Sequence, residues 1–367
     1  MGRQSKNEIK GATPFRVGRV FNKISNFSRL SRPVLRSLTL NFPGRLNAMA
    51  IDPSRIAMNE KMVYQAGEVV FSIGLYKRIH VKRLTGDALV ISPRSKRKPL
   101  ITHAFLLMKK ALGFTDGMYI DVDNNSEIRH AGLGSSSGLI AGVATAINEL
   151  YSSPIPAQTL VKYLAQNHGE EIDGNTEYLY PVQCLGGAAA AGLFAGGLIV
   201  LAGENVVVAS ASIPSKYFVV IGIPNDFVER DSQELLNVEI KNMNKFIETG
   251  VKYGPTIAYN IVHRLLPAMV EGNLTVIGDV IYEYRFSMGS IKNCSYTYRK
   301  LPALMDKLAF LKTKGIAEVL SISSVGPGIF TITKDPKTCL KVFQSHKLNT
   351  TLTTITNDKY KIIDKVK

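Results

Sequence analysis

Tryptophan is absent from this chain of 367 residues, and cysteine is scarce, with only Cys184, Cys294 and Cys339. Three cysteines with no C-x-x-C pair exclude a disulfide framework and a cysteine-based zinc site. Such cysteine usage is typical of a reducing compartment, and a cytoplasmic location is predicted. The N-terminal region also lacks the apolar segment of a secretory signal.

Long membrane-spanning segments are not expected either. The stretch 181–203 carries no charge and is long enough to cross a bilayer, but six glycines interrupt it. This pattern predicts a buried helix followed by a buried strand. With 45% hydrophobic and 20% charged residues, the chain has the composition of a well-packed enzyme, and its length allows about two domains.

Acidic residues are rare near the N-terminus. Residues 1–40 contain nine lysines and arginines but one acid, Glu8, and contribute half of the net charge of +16. Such a segment is compatible with a simple basic extension, an organellar transit peptide, or an arm that binds nucleic acid or an anionic membrane. The basic run 94–98 is predicted to be a solvated loop, because it lacks the interleaved aromatic residues of a single-strand binding surface. Nucleic acid is therefore not the expected partner.

Strand-like and helix-like segments occur without a regular βαβ alternation, which predicts an α+β fold. A basic extension is predicted at 1–38, a first domain at 39–211 and a second domain at 212–367. Helices are expected at about 232–247 and 256–269, with strands near the C-terminus.

The strongest motif is a glycine- and serine-rich loop, His130 to Gly138, between a predicted strand and a predicted helix. Glycines let backbone N–H groups converge on an anion, and the N-terminus of the helix presents further free amides. The serine hydroxyls could cap the helix, contact phosphate oxygens or bind Mg²⁺. The loop is not a Walker A motif, because no G-K-[ST] ends it.

This loop resembles the G-L-G-S-S motif of the GHMP kinase superfamily, the group of galactokinase, homoserine kinase and mevalonate kinase. The first family motif is similar to Pro43–Leu46 (PGRL), and the third is similar to the turn 323–328 (SSVGPG). The resemblance implies a ribosomal-S5-like N-terminal half, a ferredoxin-like C-terminal half and a site between them. It also implies Mg²⁺ and a small-molecule substrate, with a homodimer left open.

Within the superfamily, several details resemble the beta-ribofuranosylaminobenzene 5′-phosphate synthase branch. Ile51 and Asp52 follow the first motif, and His130 precedes the loop as in that branch, although Val325 stands where it has tryptophan. This resemblance implies transfer of ribosyl phosphate from phosphoribosyl pyrophosphate to an aromatic acid, with loss of pyrophosphate and CO₂. The alternative is an ATP-dependent small-molecule kinase of the GHMP family. A binding protein that uses the basic arm is a further, non-enzymatic alternative.

Acidic residues for catalysis are expected in the segment 170–187, which resembles a D-N-x-x-P stretch of homoserine kinases. The candidates are Glu170, Glu171, Asp173 and Glu177. Glu177 is the first choice as Mg²⁺ ligand or proton acceptor, and Asp173 is the second. The predicted catalytic residues are Glu177, Asp173 and Arg45, and the predicted metal ligands are Ser136 and Glu177. The predicted phosphate-binding or nucleotide-binding residues are His130, Gly132, Leu133, Gly134, Ser135, Ser136, Ser137, Ser324, Gly326 and Gly328.

Overall fold

The computed structural model describes residues 13–24, 33–56, 61–124 and 129–367. The parts of the predicted basic extension at 1–12 and 25–32 lie outside these ranges. The predicted α+β class is confirmed, because the described residues form three sheets with helices packed against them.

The strands are β1 (Phe15–Arg16), β2 (Ser37–Ala50), β3 (Glu68–Leu84), β4 (Leu89–Ile91), β5 (Gly117–Asp123), β6 (Glu170–Glu171), β7 (Tyr178–Tyr180), β8 (Leu198–Ala202), β9 (Val206–Ala211), β10 (Phe218–Pro224), β11 (Val319–Ile322), β12 (Ile329–Thr333), β13 (Leu348–Thr354) and β14 (Lys361–Val366). The helices are α1 (Lys98–Leu112), α2 (Ser135–Leu150), α3 (Ala157–Ala165), α4 (Gly187–Leu193), α5 (Ser232–Asn260), α6 (Leu266–Glu271), α7 (Leu274–Tyr282), α8 (Ser290–Asn293), α9 (Leu301–Leu308), α10 (Phe310–Thr313) and α11 (Pro336–Ser345). Short 3₁₀ turns lie at Pro53–Arg55 and Cys294–Tyr296, and π-helical turns at Ile261–Leu265 and Glu283–Ser287.

The largest sheet has seven strands and is built on the long antiparallel pair β2 and β3. On its other edge, β3 pairs with β8 near its beginning and with β5 near its end. Apolar residues of β2 and β3 pack against α1, α2, α3 and α4 in one continuous core. Gly134, which precedes α2, lies against Arg45 in the middle of β2.

The second sheet has the order β11-β12-β10-β13, with all neighbours antiparallel. Its chain order is strand, helices, two strands, helix, strand, which is the ferredoxin-like arrangement. A shared core joins the two sheets, and the rings of Phe71 on β3 and Phe330 on β12 meet edge to face at 6.2 Å. The last strand, β14, returns to pair with β2 in the first sheet. The domain division at residue 211 stays a prediction about the chain.

Two segments test the sequence interpretation directly. The uncharged stretch 181–203 forms α4 followed by β8, as predicted, and no described helix is both long and apolar enough to span a membrane. Both predicted helical stretches, 232–247 and 256–269, are helical, but no break separates them, because α5 continues through Pro255. Buried residues on both sides of that proline, Phe246 and Ile257, hold the helix together against the local cost of the missing N–H group.

Candidate active site

The predicted phosphate loop lies directly before α2, as the sequence indicated. Gly132 and Gly134 both have left-handed backbone angles, with φ of +80° and +69°. A Cβ atom on Gly132 would lie 2.1 Å from the Ser323 carbonyl oxygen, so only glycine fits there. Ser135, Ser136 and Ser137 form the first turn of the 16-residue helix α2, where backbone amides have no partner within the helix. The N-terminal end of α2 is therefore suited to an anion.

The three predicted sequence motifs meet at this loop. Ser323 Oγ donates a hydrogen bond to the Gly132 carbonyl oxygen at 2.7 Å and accepts one from Asn47 N at 3.1 Å. The amide of Ser324 reaches the Asn47 carbonyl at 2.9 Å, and the amide of Gly328 reaches the Ala131 carbonyl at 3.1 Å. The turn 323–328, which includes Gly326, thus supports the loop from the second half of the chain.

Arg45 lies where β2 passes the loop. Its Nη1 donates to the Gly132 carbonyl oxygen at 3.0 Å, and its Nη2 lies 3.9 Å from Oε2 of the buried Glu68. Glu68 also accepts hydrogen bonds from Asn47 Nδ2 and from the amide of Gly187 at the start of α4. The buried Arg45 Nε has no hydrogen-bond partner among the described residues. Arg45 therefore retains one donor that no described residue satisfies.

Ser136 is paired with a glutamate, but not with the predicted one. Its Oγ donates to Glu170 Oε2 at 2.5 Å, and the Arg97 guanidinium contacts both residues. The cationic neighbours and this hydrogen bond lower the pKa of Glu170 against the opposing effect of its burial. The carboxylate at the loop is thus ionised.

Glu177 and Asp173 lie elsewhere. Glu177 is exposed beside β7, where its backbone bonds to Val17 and Asn175, and it does not line the cleft beside the loop. Asp173 is exposed and forms an ion pair with Arg129 at 2.7 Å. The structure places Glu170, not Glu177, against Ser136, because β6 carries Glu170 and Glu177 lies after the turn that follows β6. The assignment of Ser136 and Glu177 as metal ligands stays a prediction.

A cleft of about 140 Å³ extends from the loop towards the second half of the chain. It begins at residues of the loop region and deepens between α4 and α5. Its polar lining is Arg45, Asn47, Glu68, Ser137, His168, Gln183, Cys184, Glu239, Arg285 and Ser324. Gln183 Nε2 is buried without a hydrogen-bond partner among the described residues, like Arg45 Nε. Both residues line the cleft, and each retains one buried donor without a partner in the described part of the chain.

Glu239 on α5 is the carboxylate of the cleft that sequence reasoning missed entirely. It lines the cleft both at the loop and at its deep end. Desolvation raises its pKa to about 7, and it has no hydrogen-bond or ion-pair partner among the described residues. A carboxyl group with that pKa exchanges its proton near neutral pH, as a general base must. No signal in the sequence distinguishes Glu239 from the exposed acids of α5.

The floor of the cleft carries a buried positive charge. Arg285 is 2% exposed, and its guanidinium donates to the carbonyl oxygens of Asn47, Ala48 and Ile322 and to the hydroxyls of Ser290 and Ser321. No carboxylate pairs with it among the described residues. The cleft lining thus combines the cations Arg45 and Arg285 with the acids Glu68 and Glu239.

The remaining predicted residues lie around the loop. His130 lines the cleft, and its Nε2 lies 3.1 Å from Ser232 Oγ at the start of α5. Leu133 and Ser135 line this cleft and also border a second recess, which includes Leu75, Lys77 and Asn124. The loop thus borders two cavities.

The side chains beside the loop determine whether a metal ion could bind there. Within the ranges that the structure describes, no group of three or more His, Cys, Asp or Glu side chains could hold a metal ion. The hydroxyl of Ser136 and the carboxylate of Glu170 are oxygen donors of the type that Mg²⁺ prefers, but the Arg97 guanidinium already contacts both.

Comparisons with known proteins agree with this geometry. Residues 99–187 match the family model of the GHMP kinases N-terminal domain. Over these residues the chain is similar to the GHMP kinases. No curated protein matches the chain.

Solved structures resemble it in fold at low sequence identity. They include homoserine kinase from Cytophaga hutchinsonii (14% identity, covering 90% of this chain and 99% of that chain, TM-score 0.59) and L. major mevalonate kinase with R-mevalonate (14%, 90% and 100%, 0.58). A third is mevalonate diphosphate decarboxylase from Enterococcus faecalis (12%, 89% and 99%, 0.55). These likenesses cover both halves of the chain and show the fold.

Proposed function

We propose that this protein is a GHMP-type phosphotransferase that moves the γ-phosphoryl group of ATP to a small molecule carrying an anionic group. The observation that carries the proposal is the pairing of Ser136 with Glu170 at the N-terminus of α2, at the mouth of a cleft that contains Glu239. From the sequence, ribosyl transfer is the preferred function and an ATP-dependent kinase is the alternative. We prefer the kinase, because similar solved structures include a homoserine kinase and a mevalonate kinase.

The polyphosphate would bind at the loop. Free amides of the first turn of α2 and the hydroxyls of Ser135 and Ser137 would donate to phosphate oxygens. Mg²⁺ would enter with the phosphates beside Ser136, and when bound it would neutralise charge on the transferring phosphoryl group. A similar decarboxylase structure contains AMPPCP and magnesium, which supports both ligands here. The recess lined by Leu133 and Lys77 offers space for the nucleoside.

The acceptor would occupy the deep cleft. Arg45 Nε and Gln183 Nε2, both without partners, would bind its anionic group, and the buried charge of Arg285 would favour it further. Glu239 would accept the proton of the acceptor hydroxyl while the hydroxyl oxygen attacks the γ-phosphorus and ADP leaves. Holding both substrates beside one loop would bring the reacting atoms together.

Ribosyl transfer from phosphoribosyl pyrophosphate is a second candidate function, and the position of His130 favours it. His130, a residue that carried the resemblance to the synthase branch, lines the same cleft as Arg45. A pyrophosphate group would suit the loop amides as well as ATP does. Val325, which stands where that branch has tryptophan, also lines the cleft.

Phosphorus NMR of reaction mixtures separates the two candidates. One mixture contains ATP, Mg²⁺ and hydroxy acids or phosphorylated alcohols, and the other contains phosphoribosyl pyrophosphate with 4-aminobenzoate or 4-hydroxybenzoate. We expect ADP and a new phosphoester in the first mixture, and loss of both signals with Glu239→Gln. Pyrophosphate formed only in the second mixture would overturn the kinase proposal in favour of the synthase.

A further inference from the structure

Arg97 makes an unusually complete set of contacts at the phosphate loop. Its Nε donates to Glu171 Oε1 at 2.8 Å and its Nη1 to Ser135 Oγ at 3.0 Å. Its Nη2 donates to both Ser136 Oγ at 2.7 Å and Glu170 Oε1 at 2.6 Å. The side chain is 6% exposed. The sequence interpretation of 94–98 as a solvated basic loop is therefore wrong for Arg97.

The guanidinium is held rigidly. Glu171, which binds Arg97 Nε, is also paired with Arg129 at 3.2 Å, and Arg129 is anchored in turn by Asp173 and Glu229. The Arg97 backbone has left-handed angles, φ 60° and ψ 42°, which a non-glycine residue adopts only where its surroundings fix it. Helix α1 begins at the next residue and fixes the direction of the side chain. Displacing Arg97 would break several charge-assisted hydrogen bonds at once.

This position is the one that a divalent cation would take. A cation bound to Ser136 Oγ and Glu170 would lie within a few ångströms of the guanidinium, and like charges repel strongly in a cleft with restricted water. The guanidinium already compensates the charge of Glu170. The ionised carboxylate thus has its counter-charge before any metal arrives.

We propose that Arg97 occupies the cation position between Ser136 and Glu170 and presents a fixed positive charge to a polyphosphate bound at the N-terminus of α2. The inference rests on the proposed binding of ATP at this loop and refines it. Mg²⁺ then enters with the phosphates of the nucleotide and does not need Glu170 as a ligand. The affinity for the nucleotide consequently depends little on free Mg²⁺.

Calorimetric titration of the full chain with AMPPCP, in excess Mg²⁺ and in EDTA, tests this inference. For the unmodified protein we expect dissociation constants that differ by less than about threefold. Arg97→Met should weaken binding in EDTA by about tenfold or more, because charge-assisted hydrogen bonds are lost, and Mg²⁺ should restore most of it. Arg97→Lys keeps the charge and is less disruptive to folding. Its dissociation constant in EDTA should lie between those of the unmodified protein and Arg97→Met.

Arg129→Met is the matched control. It removes a guanidinium from the same ion-pair network but from a residue that contacts neither Ser136 nor Glu170. We expect its Mg²⁺ dependence to equal that of the unmodified protein. An equally large Mg²⁺ dependence in the unmodified protein, Arg97→Met and Arg129→Met would overturn the inference.

Manganese binding gives a second readout that does not require a nucleotide. Electron paramagnetic resonance should detect one Mn²⁺ per chain in Arg97→Met and none in the unmodified protein. Tight Mn²⁺ binding by the unmodified protein would contradict the role of Arg97. Failure of every variant to bind AMPPCP in either buffer would instead contradict the proposed function, and the Mn²⁺ measurement would still decide on Arg97.

Discussion

Ser136 and Glu170, which are 34 positions apart in the sequence, are joined by a hydrogen bond of 2.5 Å between Oγ and Oε2. This contact links the first turn of α2 to the short strand β6 and places a carboxylate at the predicted phosphate loop. The remaining parts of the site, the turn 323–328 and the cleft lined by Glu239, are arranged around it.

Replacement of Glu170 by glutamine should therefore reduce kcat/KM by at least about 100-fold, because the carboxylate that organises Ser136 and Arg97 is lost. Steady-state kinetics with ATP and the acceptor would measure this loss. Glu177→Gln is the control, since Glu177 is exposed and outside the cleft, and should change kcat/KM less than about twofold. A larger loss of kcat/KM in Glu177→Gln than in Glu170→Gln would instead support Glu177, the residue chosen from the sequence.

The pH dependence of the rate should report Glu239. Desolvation raises the pKa of this carboxyl group to about 7, so the fraction in the basic form, and with it kcat/KM, should rise with pH and level off above about 7. Glu239→Gln should lower kcat by about 100-fold to 10,000-fold and abolish that rise. Glu248→Gln, an exposed position on the same helix, should keep the complete profile. A profile unchanged in Glu239→Gln would exclude this residue as the base.

Recognition of the acceptor should depend on Arg45. Because Arg45 Nε is buried without a partner, Arg45→Met should raise the KM for an anionic acceptor by about tenfold or more, with a smaller effect on a neutral analogue. Arg55→Met, at an exposed arginine of the 3₁₀ turn after β2, serves as the control and should leave both KM values unchanged. Equal losses for the anionic and the neutral acceptor would show that Arg45 acts only through the loop.

Mild acid should destabilise the fold through His103. This buried ring accepts a hydrogen bond from Gly18 N at 2.9 Å and lies 2.7 Å from the Asn167 carbonyl oxygen, and burial lowers its pKa from 6.5 to about 4. Since the folded state disfavours the proton, this stabilisation is complete above pH 6.5 and is lost as the pH falls towards 4. Burial also lowers the pKa of His168 to about 4, which adds to the effect in the same range.

Urea unfolding between pH 4 and 7 would measure this dependence. The slope of the unfolding free energy against pH should be shallower in His103→Gln, with the contribution of His168 retained. Identical slopes in both proteins would contradict the assignment to His103.

The sequence was sufficient to predict the parts of the site that depend on local structure. The loop from His130 to Gly138 was recognisable because left-handed glycines and helix N-terminal serines have a strong local signature. The helix and strand within 181–203 were also recognisable, since glycines divide the apolar run. The first and third motifs meet at Gly132, where Arg45 and Ser323 both donate to its carbonyl oxygen.

The residues that the sequence did not identify depend on tertiary contacts. Glu170 and Glu177 are both acids in one polar segment, and only the pairing of β6 with β7 determines which of them reaches Ser136. Arg97 lies in a basic run and differs from its neighbours only through its backbone angles and ion pairs. Glu239 belongs to a long amphipathic helix, and its high pKa comes from the cleft rather than from its sequence neighbours.

The most direct test of the central claim is phosphorus NMR of ligand binding at the loop. ATP and phosphoribosyl pyrophosphate are titrated separately against the unmodified protein and against Ser136→Ala. The account predicts that the β- and γ-phosphorus signals of ATP shift or broaden with the unmodified protein, and that Ser136→Ala largely removes the effect. Perturbation of the phosphoribosyl pyrophosphate signals with none for ATP would contradict it.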